Sequence, residues 1–269
     1  MLRYNFSSRA ASLRGGDALV ISIPKSGRTW LRAFLCDYFC KARGHPFSLQ
    51  PEQYSDPQIP RIIYSHDRFE ERTKADFWAR LRGKYRVPAD AITNARVILL
   101  ARDPRDAFVS HYVQLTRRSE DTPADVKQQS IGELLRDDAH GIVSIVEIMN
   151  AWLAEFAGRE NFHLARYESL RAAPKENFAR LLAAVSRHDL DADAFAHALA
   201  FSEFGNMKKM EAAGAFDSKI LKPGDASDPE SFKVRRGKVG GYREYLAPDD
   251  QQYAADAITQ LNARFGYSP

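Results

Sequence analysis

The sequence predicts a single α/β domain with a central parallel β-sheet flanked by α-helices. Short apolar runs alternate with longer amphipathic segments along most of the chain. The apolar runs are nearly continuous, as in strands that are buried on both faces. The 269 residues are 44% hydrophobic and 28% charged, which is the composition of a globular protein with a large core. Because no internal repeat or domain boundary is evident, we expect one domain over residues 17–269.

Four short apolar runs are the predicted strands. They are ALVISI (18–23), RIIYSH (61–66), ARVILLA (95–101) and FHLARY (162–167). In open parallel sheets, ligands bind at the carboxyl ends of the strands. Polar residues that directly follow these runs are therefore candidates for a functional site.

The segments between the strands carry apolar residues at helical spacing. In TWLRAFLCDYFCKARG (29–44), aromatic and leucine side chains recur every three to four positions, and Gly44 suits the end of the helix. Asp103 can cap, and Pro104 can open, the helix after the third strand. This helix is predicted to run through residues 105–118, and the other predicted helices cover residues 75–83, 141–158, 174–186, one or two stretches within 191–212, and 248–266.

The remaining segments are predicted to be loops or a tail. Residues 119–130 are polar, and residues 213–233 are rich in Gly, Pro, Asp and Ser. Residues 1–16 contain three arginines and no acid, and they lack the apolar centre of a secretion signal. We expect a flexible N-terminal tail there, with an organelle transit peptide as the alternative.

Composition limits the class of protein and its compartment. The net charge of +4 and the pI of about 9.0 permit an anionic ligand. No apolar run has the length of a membrane span. Cys36 and Cys40 lie four residues apart on a predicted helix, which favours buried thiols and a cytoplasmic location. The oligomeric state is left open.

Residues 20–35, VISIPKSGRTWLRAFL, have the pattern of an anion-binding strand–loop–helix. The backbone N–H groups of Ser26, Gly27, Arg28 and Thr29 would lie at the helix N-terminus, where they have no intrahelical partner. Lys25 adds a full positive charge. The Walker loop requires a Lys after its second Gly. Here Lys25 comes before the only Gly, which disfavours an ATPase or a nucleotide kinase.

The segment PKSGRTW resembles the phosphosulfate-binding loop of the cytosolic-type sulfotransferases. This resemblance implies a P-loop-like domain, similar to the nucleotide kinases in fold. It also implies that Lys25–Thr29 bind the 5′-phosphosulfate of 3′-phosphoadenosine 5′-phosphosulfate (PAPS), and that Trp30 packs against the adenine.

Four further segments resemble that family in the same order along the chain. VILLARDPRDAFVSHY resembles the strand and helix that bind the 3′-phosphate. ARYESL and FSEFGNMKKM resemble the segments that contact the nucleoside, and VRRGKVGGYREYL resembles a late segment that returns to the 3′-phosphate. The resemblance assigns nucleotide binding to Arg102, Ser110, Tyr167, Ser202, Phe204, Met207, Arg235, Arg236 and Gly237.

The resemblance also implies the chemistry. His66 follows the strand RIIYSH and is similar in position to the family's general base, and a neutral imidazole suits that role near pH 7. We expect transfer of the sulfuryl group to an acceptor hydroxyl, less often an amine, with release of PAP. Lys25 would stabilise the leaving phosphate, and Ser110 would hold Lys25 until the acceptor arrives. The seven histidines form no metal-binding pattern, so no metal is expected.

The sequence departs from the family at several points. The Lys two residues before the base is Tyr64 here, the late Asp-Trp is Gly241-Tyr242, and the usual dimer motif is absent. The acceptor is left open between a carbohydrate or glycolipid hydroxyl and a small phenol or alcohol. A P-loop-like nucleotide kinase is the alternative enzyme. A nucleic-acid-binding protein is disfavoured, because the basic residues concentrate at the two predicted phosphate sites.

Overall fold

The computed structural model describes residues 3–214 and 237–269. Its sheet has four parallel strands in the order β2-β1-β3-β4. The strands are β1 (Ala18–Ile21), β2 (Ile62–Ser65), β3 (Arg96–Ala101) and β4 (Phe162–Arg166). All four predicted strands and the α/β fold class are confirmed. The chain moves from β1 to β2 on one side and returns to β3 on the other. The crevice beyond the carboxyl ends of β1 and β3 is therefore the switch point where ligands bind in such sheets.

Helices cover both faces of this sheet. In chain order they are α1 (Arg28–Ala42), α2 (Asp67–Lys74), α3 (Phe77–Leu81), α4 (Ala89–Asn94), α5 (Pro104–Arg117), α6 (Ala124–Gln128), α7 (Ile131–Leu135), α8 (Ile142–Phe156), α9 (Tyr167–Ala172), α10 (Pro174–Val185), α11 (Ala192–Phe201), α12 (Phe204–Ala212) and α13 (Pro248–Ile258). In the part of the chain described, no helix is both long and apolar enough to cross a bilayer.

Alternate residues of the central strands point to opposite faces, and each face has its own core. On one face, Leu19 and Val97 pack in a cluster with residues of α5, α8 and α13. On the other, Val20 and Ile98 pack in a cluster with residues of α1, α10 and α11. Cys36 and Cys40 are buried and free, as predicted.

Several predicted boundaries are corrected by the structure. The segment before residue 75 forms α2, which the sequence pattern misses because this helix is mostly charged and buries only Asp67 and Phe69. The predicted loop 119–130 contains the five-residue helix α6. The predicted final helix 248–266 ends at Ile258. The predicted loop 213–233 lies almost entirely outside the described residues.

The N-terminal segment packs against the domain from Arg3 onward, where the sequence analysis expects a flexible tail. Arg3 is buried, and its guanidinium pairs with the carboxylates of Asp67 and Glu155. Ser8–Leu13 form a short 3-10 helix that buries Ala10 and Leu13. A single arginine in a polar segment gives no pattern from which this anchoring could be predicted.

Candidate active site

A cavity of about 580 Å³ opens at the carboxyl ends of β1 and β3. Its size is typical of small-molecule sites. Residues from the β1–α1 loop, α2, α5, α9 and α12 line it, together with residues 237–245. The cavity contains most of the residues that the sequence singles out. They are Lys25, Gly27, Arg28, Thr29, Trp30, His66, Arg102, Ser110, Tyr167, Phe204, Met207 and Gly237.

The β1–α1 loop has the geometry of an anion-binding loop. Gly27 caps α1 in the left-handed conformation (φ 90°), and a Cβ atom there would lie 2.7 Å from Cδ2 of Tyr167. Only glycine therefore fits this position without displacing the tyrosine. The hydroxyl of Ser26 is buried and has no hydrogen-bond partner among the described residues. A buried donor of this kind, beside the free N–H groups of a helix start, fits a phosphate or sulfate oxygen.

The ammonium group of Lys25 reaches from the β1–α1 loop to α5. Its Nζ donates a hydrogen bond to Oε1 of Gln114 at 2.9 Å. The resemblance implies that Ser110 holds Lys25, whereas this hydrogen bond goes to Gln114, one helical turn further along α5, and Ser110 lies near Arg102. No motif pointed to Gln114, because its role depends on a contact between distant parts of the chain.

Arg102 connects three parts of the site. One guanidinium nitrogen donates to the carbonyl of Lys25 at 2.9 Å and approaches Oγ of Ser110 at 3.4 Å. The other donates to the carbonyl of Lys238 at 3.3 Å. The guanidinium also stacks 4.6 Å from the ring centre of Tyr167. This arrangement places a charged fork between the β1–α1 loop and α5, where it can bind a second phosphate.

Asp106 fixes the late segment beside Arg102. Its carboxylate accepts hydrogen bonds from the backbone N–H groups of Gly240 and Tyr242, at 2.7 and 2.9 Å. Gly237 lies against the ring of Phe204. The two predicted residues just before it, Arg235 and Arg236, lie outside the described residues.

The predicted adenine-binding residues form an aromatic wall. The indole N–H of Trp30 donates to the carbonyl of Ser202 at 2.7 Å, and its ring meets that of Tyr167 edge to face at 5.6 Å. The hydroxyl of Ser202 is buried and donates to the carbonyl of Ala198. Ser202 therefore orients Trp30 through its backbone, whereas Phe204 and Met207 line the cavity directly.

His66 directly follows β2, at the other end of the cavity. Its Nδ1 lies 2.7 Å from the carbonyl oxygen of Ser22. A carbonyl can only accept, so Nδ1 carries the proton and Nε2 keeps its lone pair. Burial lowers the pKa of His66 well below its usual value, and the charge of Arg28 acts in the same direction. The imidazole is therefore neutral at physiological pH and can accept a proton at Nε2.

Two departures from the family pattern differ in where they lie. Tyr64 turns to the α1 face of the sheet, where the guanidinium of Arg32 lies 5.2 Å from its ring centre. Tyr242 is buried beside the cavity, with the guanidinium of Arg105 over its ring at 4.6 Å. Tyr64 therefore does not replace the positive charge of the Lys that the family has at this position. Tyr242 stands where the family has Trp, and it is likewise a buried aromatic residue.

The end of the cavity around His66 has a mixed lining. Phe69, Glu70, Thr73 and Lys74 come from α2, and His111, Val113 and Gln114 come from α5. Nε2 of His111 lies 3.3 Å from Nδ1 of His140, and burial lowers the pKa of His111 to about 3. Within the described ranges, no group of three or more His, Cys, Asp or Glu side chains could hold a metal ion.

Comparison with known families matches residues 16–266 to the family described as the sulfotransferase domain. Human sulfotransferase 2B1 is 26% identical over 268 residues, and cytosolic sulfotransferase 17 of Arabidopsis thaliana is 23% identical over 252 residues. These alignments cover 90% and 88% of this chain. The chain spans 65% of the human relative's length and 71% of the plant relative's.

Solved structures of related fold include proteins crystallised with PAP. Mouse sulfotransferase SULT7A1 in complex with PAP superimposes with a TM-score of 0.63 at 17% identity, covering 94% of this chain and 86% of that chain. Retinol dehydratase in complex with androsterone and PAP superimposes with a TM-score of 0.62 at 16% identity, covering 93% and 82%. At such identities the superpositions establish the fold.

Proposed function

This chain belongs to the sulfotransferase family, and we propose that it transfers the sulfuryl group of PAPS to an acceptor hydroxyl, less often an amine. The observation that carries the proposal is the combination of two separate anion-binding groups and a neutral histidine in one cavity. PAPS has phosphate groups at both ends of a nucleoside, so it requires two such groups. When bound, PAPS supplies a sulfuryl group on a phosphate leaving group.

The first anion-binding group is the β1–α1 loop. We assign the 5′-phosphosulfate to the backbone N–H groups of Ser26–Thr29 and to the hydroxyls of Ser26 and Thr29. The unpartnered Oγ of Ser26 supports this assignment. Lys25 would stabilise the negative charge that develops on the bridging oxygen. Lys25 and its hydrogen-bond partner Gln114 both line the cavity, which supports this role.

The second anion-binding group surrounds Arg102. We assign the 3′-phosphate to Arg102, Ser110, and the segment Arg235–Gly237. The support is the position of Arg102, which contacts Ser110 and the carbonyl of Lys238. Trp30, Tyr167, Phe204 and Met207 would enclose the adenosine between the two groups.

His66 is the proposed general base. Its Nε2 would take the proton from the acceptor hydroxyl as the acceptor oxygen bonds to sulfur and the bond from sulfur to the leaving phosphate breaks. Because Nδ1 donates to Ser22, the imidazole presents one defined nitrogen to the acceptor. Ser110 would position Lys25 until the acceptor arrives. None of these steps requires a metal ion.

The acceptor is proposed at the level of chemical class. The cavity end beside His66 combines Phe69 and Val113 with polar and charged side chains, which suits an acceptor with both apolar and polar groups. A small phenol or alcohol and a carbohydrate or glycolipid hydroxyl both match this lining. The plant relatives are named cytosolic sulfotransferases, which supports the proposed cytoplasmic location.

The proposal is tested by nucleotide binding. PAP should raise the melting temperature of the protein without Mg²⁺, and ATP should do so much less, with or without Mg²⁺. Arg102→Ala should weaken PAP binding, whereas Arg180→Ala, which removes an exposed arginine on α10, should not. Stabilisation by ATP with Mg²⁺ but not by PAP would favour the nucleotide-kinase alternative. Sulfuryl transfer would then be screened with labelled PAPS over a panel of phenols, alcohols and sugars.

A further inference from the structure

Arg28 is a charged side chain in the cavity wall beside His66. It is the first residue of α1, and it lines the cavity together with His66 and Glu70. Burial lowers the pKa of Arg28 to about 10, which leaves the guanidinium charged at neutral pH. Arg28 also contributes to the lowered pKa of His66, so the two side chains are electrostatically close.

The charge of Arg28 is not neutralised by a neighbouring carboxylate. Among the residues that the structure describes, Arg28 makes no hydrogen bond or ion pair. Glu70 attracts it at longer range, but its two carboxylate oxygens pair with Arg9 at 3.0 Å and with Lys74 at 3.2 Å. Arg28 and Lys74 therefore share this part of the wall with Glu70, whose charge is already paired with Lys74 and, behind the wall, with Arg9.

From this excess of positive charge we propose that Arg28 binds an anionic group on the acceptor. The enzyme would then select hydroxyl acceptors that carry a carboxylate, phosphate or sulfate close to the reacting hydroxyl. A half-buried cation that has no paired carboxylate gains from a ligand that supplies negative charge. Arg28 lines the cavity together with His66, Glu70 and Lys74, which places its charge in the part of the lining that contains the proposed base. This inference rests on the proposed sulfuryl transfer.

The test uses matched acceptors that differ in one anionic group. The pairs are 4-hydroxyphenylacetate with 4-hydroxyphenylacetamide, and methyl β-glucuronide with methyl β-glucoside. Affinity for the PAP-loaded protein is measured by calorimetry, and kcat/KM is measured with PAPS. We expect the wild-type protein to prefer the anionic member of at least one pair, and Arg28→Thr to reduce that preference about 10-fold or more. Arg28→Lys should retain part of it.

Arg180→Thr is the control, because it removes one exposed positive charge from α10. The inference would be overturned if the wild-type protein showed the same affinity and the same kcat/KM for both members of each pair. It would also be overturned by an Arg28→Thr variant that weakens both members equally. If the wild-type protein does not bind PAP, the proposed function fails instead, so the two failures are distinguishable.

A second inference comes from an exposed aromatic surface around α3. Phe77, Trp78 and Leu81 are 71%, 62% and 53% exposed, and no residue of α3 is buried. Phe6 is 78% exposed and stacks on Tyr4 with ring centres 5.3 Å apart. We call these five side chains the aromatic surface. Large apolar side chains exposed together in this way mark a surface that contacts something else.

The N-terminal part of this surface is fixed to the segment that follows α3. The N–H of Phe6 donates to the carbonyl of Arg82 at 2.9 Å. The side-chain amide of Asn5 donates to the carbonyls of Lys84 and Arg86, at 3.3 and 2.8 Å. Tyr4 and Phe6 are therefore held beside the end of α3 by the backbone.

The charges around the aromatic surface are almost all positive. Lys74, Arg80, Arg82 and Lys84 are exposed, and Asp76 is the only acid between residues 72 and 86. We propose that the aromatic surface docks on the face of an anionic phospholipid bilayer. Aromatic side chains favour the membrane interface, and Lys and Arg attract anionic headgroups. Because α2 lines the cavity and leads directly into α3, docking would bring the cavity close to the lipids.

Vesicle binding tests this second proposal with the full-length protein. We expect co-sedimentation with vesicles of phosphatidylcholine and phosphatidylglycerol, much weaker binding to phosphatidylcholine alone, and loss of binding at high salt. The double variant Phe77→Ser/Trp78→Ser should have an affinity for the mixed vesicles that is lower by about 10-fold or more. Leu190→Ser removes an exposed leucine elsewhere and should bind like the wild type.

Three outcomes would overturn the docking proposal. The wild-type protein could fail to bind the mixed vesicles, or the double variant could bind them as well as the wild type does. Alternatively, light scattering could show a dimer that the double variant converts to a monomer, which would assign the aromatic surface to a second copy of the chain. Binding of PAP is measured on the double variant to establish that it is folded.

Discussion

Replacement of Asp67 by Ala should strongly destabilise the fold. Its carboxylate is fully buried and accepts hydrogen bonds from three partners. The guanidinium of Arg3 donates twice, at 2.8 and 2.9 Å. The backbone N–H of Val87 and the indole N–H of Trp152 each donate at 2.8 Å. Burial alone would raise the pKa of Asp67, but Arg3 and the hydrogen bonds lower it overall.

The magnitude follows from what the substitution leaves behind. Removal of one member of a buried ion pair costs about 3–5 kcal/mol, because the other charge stays buried. Arg3 keeps Glu155, which reduces this cost, whereas two N–H groups lose their acceptor at about 1–3 kcal/mol each. Asp67 also has a positive φ of 39°, which Asp tolerates better than Ala does. We therefore expect a loss of about 3–5 kcal/mol in the free energy of unfolding.

Urea unfolding at pH 7 measures this loss. Asp90→Ala is the matched control, because Asp90 forms an exposed ion pair with Arg14 and should contribute far less. Since the pKa of Asp67 is lower in the folded state, its stabilisation is present above the unfolded pKa and is lost as the pH falls through the folded pKa. The difference between wild type and Asp67→Ala should therefore shrink in acid. A loss below about 1 kcal/mol, or one equal to that of Asp90→Ala, would refute the reasoning.

Four further outcomes follow from the site. His66→Ala should lower kcat about 10²–10⁴-fold with PAP affinity nearly unchanged by calorimetry; near-normal turnover would exclude His66 as the base. Because the pKa of His66 is lowered, kcat/KM should fall in acid only well below pH 6.5. A decrease in kcat/KM centred near pH 6.5 would contradict this. Lys25→Ala should lower both kcat and PAP affinity, and an unchanged affinity would remove Lys25 from the nucleotide site. Gly27→Ala should weaken PAP binding, because its Cβ would meet Tyr167, whereas Gly158→Ala enters open space and should not.

The strands and the phosphate loop could be predicted because their signals are local. A continuous apolar run such as ARVILLA has one favourable environment, the interior of a parallel sheet. The anion-binding loop is equally local, since it needs only a strand end, a glycine and a helix start. The structure places Gly27 in the left-handed conformation that this loop requires. The order of the strands fixes where the two anion-binding groups meet, once the strands are known.

The contacts that complete the site could not be predicted, because they join residues that are far apart in sequence. The partner of Lys25 at Gln114 is 89 residues away, and the partner of Asp106 at Gly240 is 134 residues away. Helix α2 could not be predicted for a different reason. Its sequence DRFEERTK has almost no apolar periodicity, and it gains stability from its ion pairs and from the burial of Phe69.

The placement of His66 depends on contacts of its own side chain and of the next residue, Asp67. The carbonyl of Ser22 fixes the imidazole through Nδ1. The carboxylate of Asp67 ties the start of α2 to Arg3, to Val87 and to Trp152 of α8. The backbone of the proposed base is thereby held by three distant segments, one of which is the N-terminal segment. The same segment carries Tyr4 and Phe6 of the aromatic surface. Its attachment through Arg3 therefore holds both the backbone next to His66 and the surface proposed to contact the membrane.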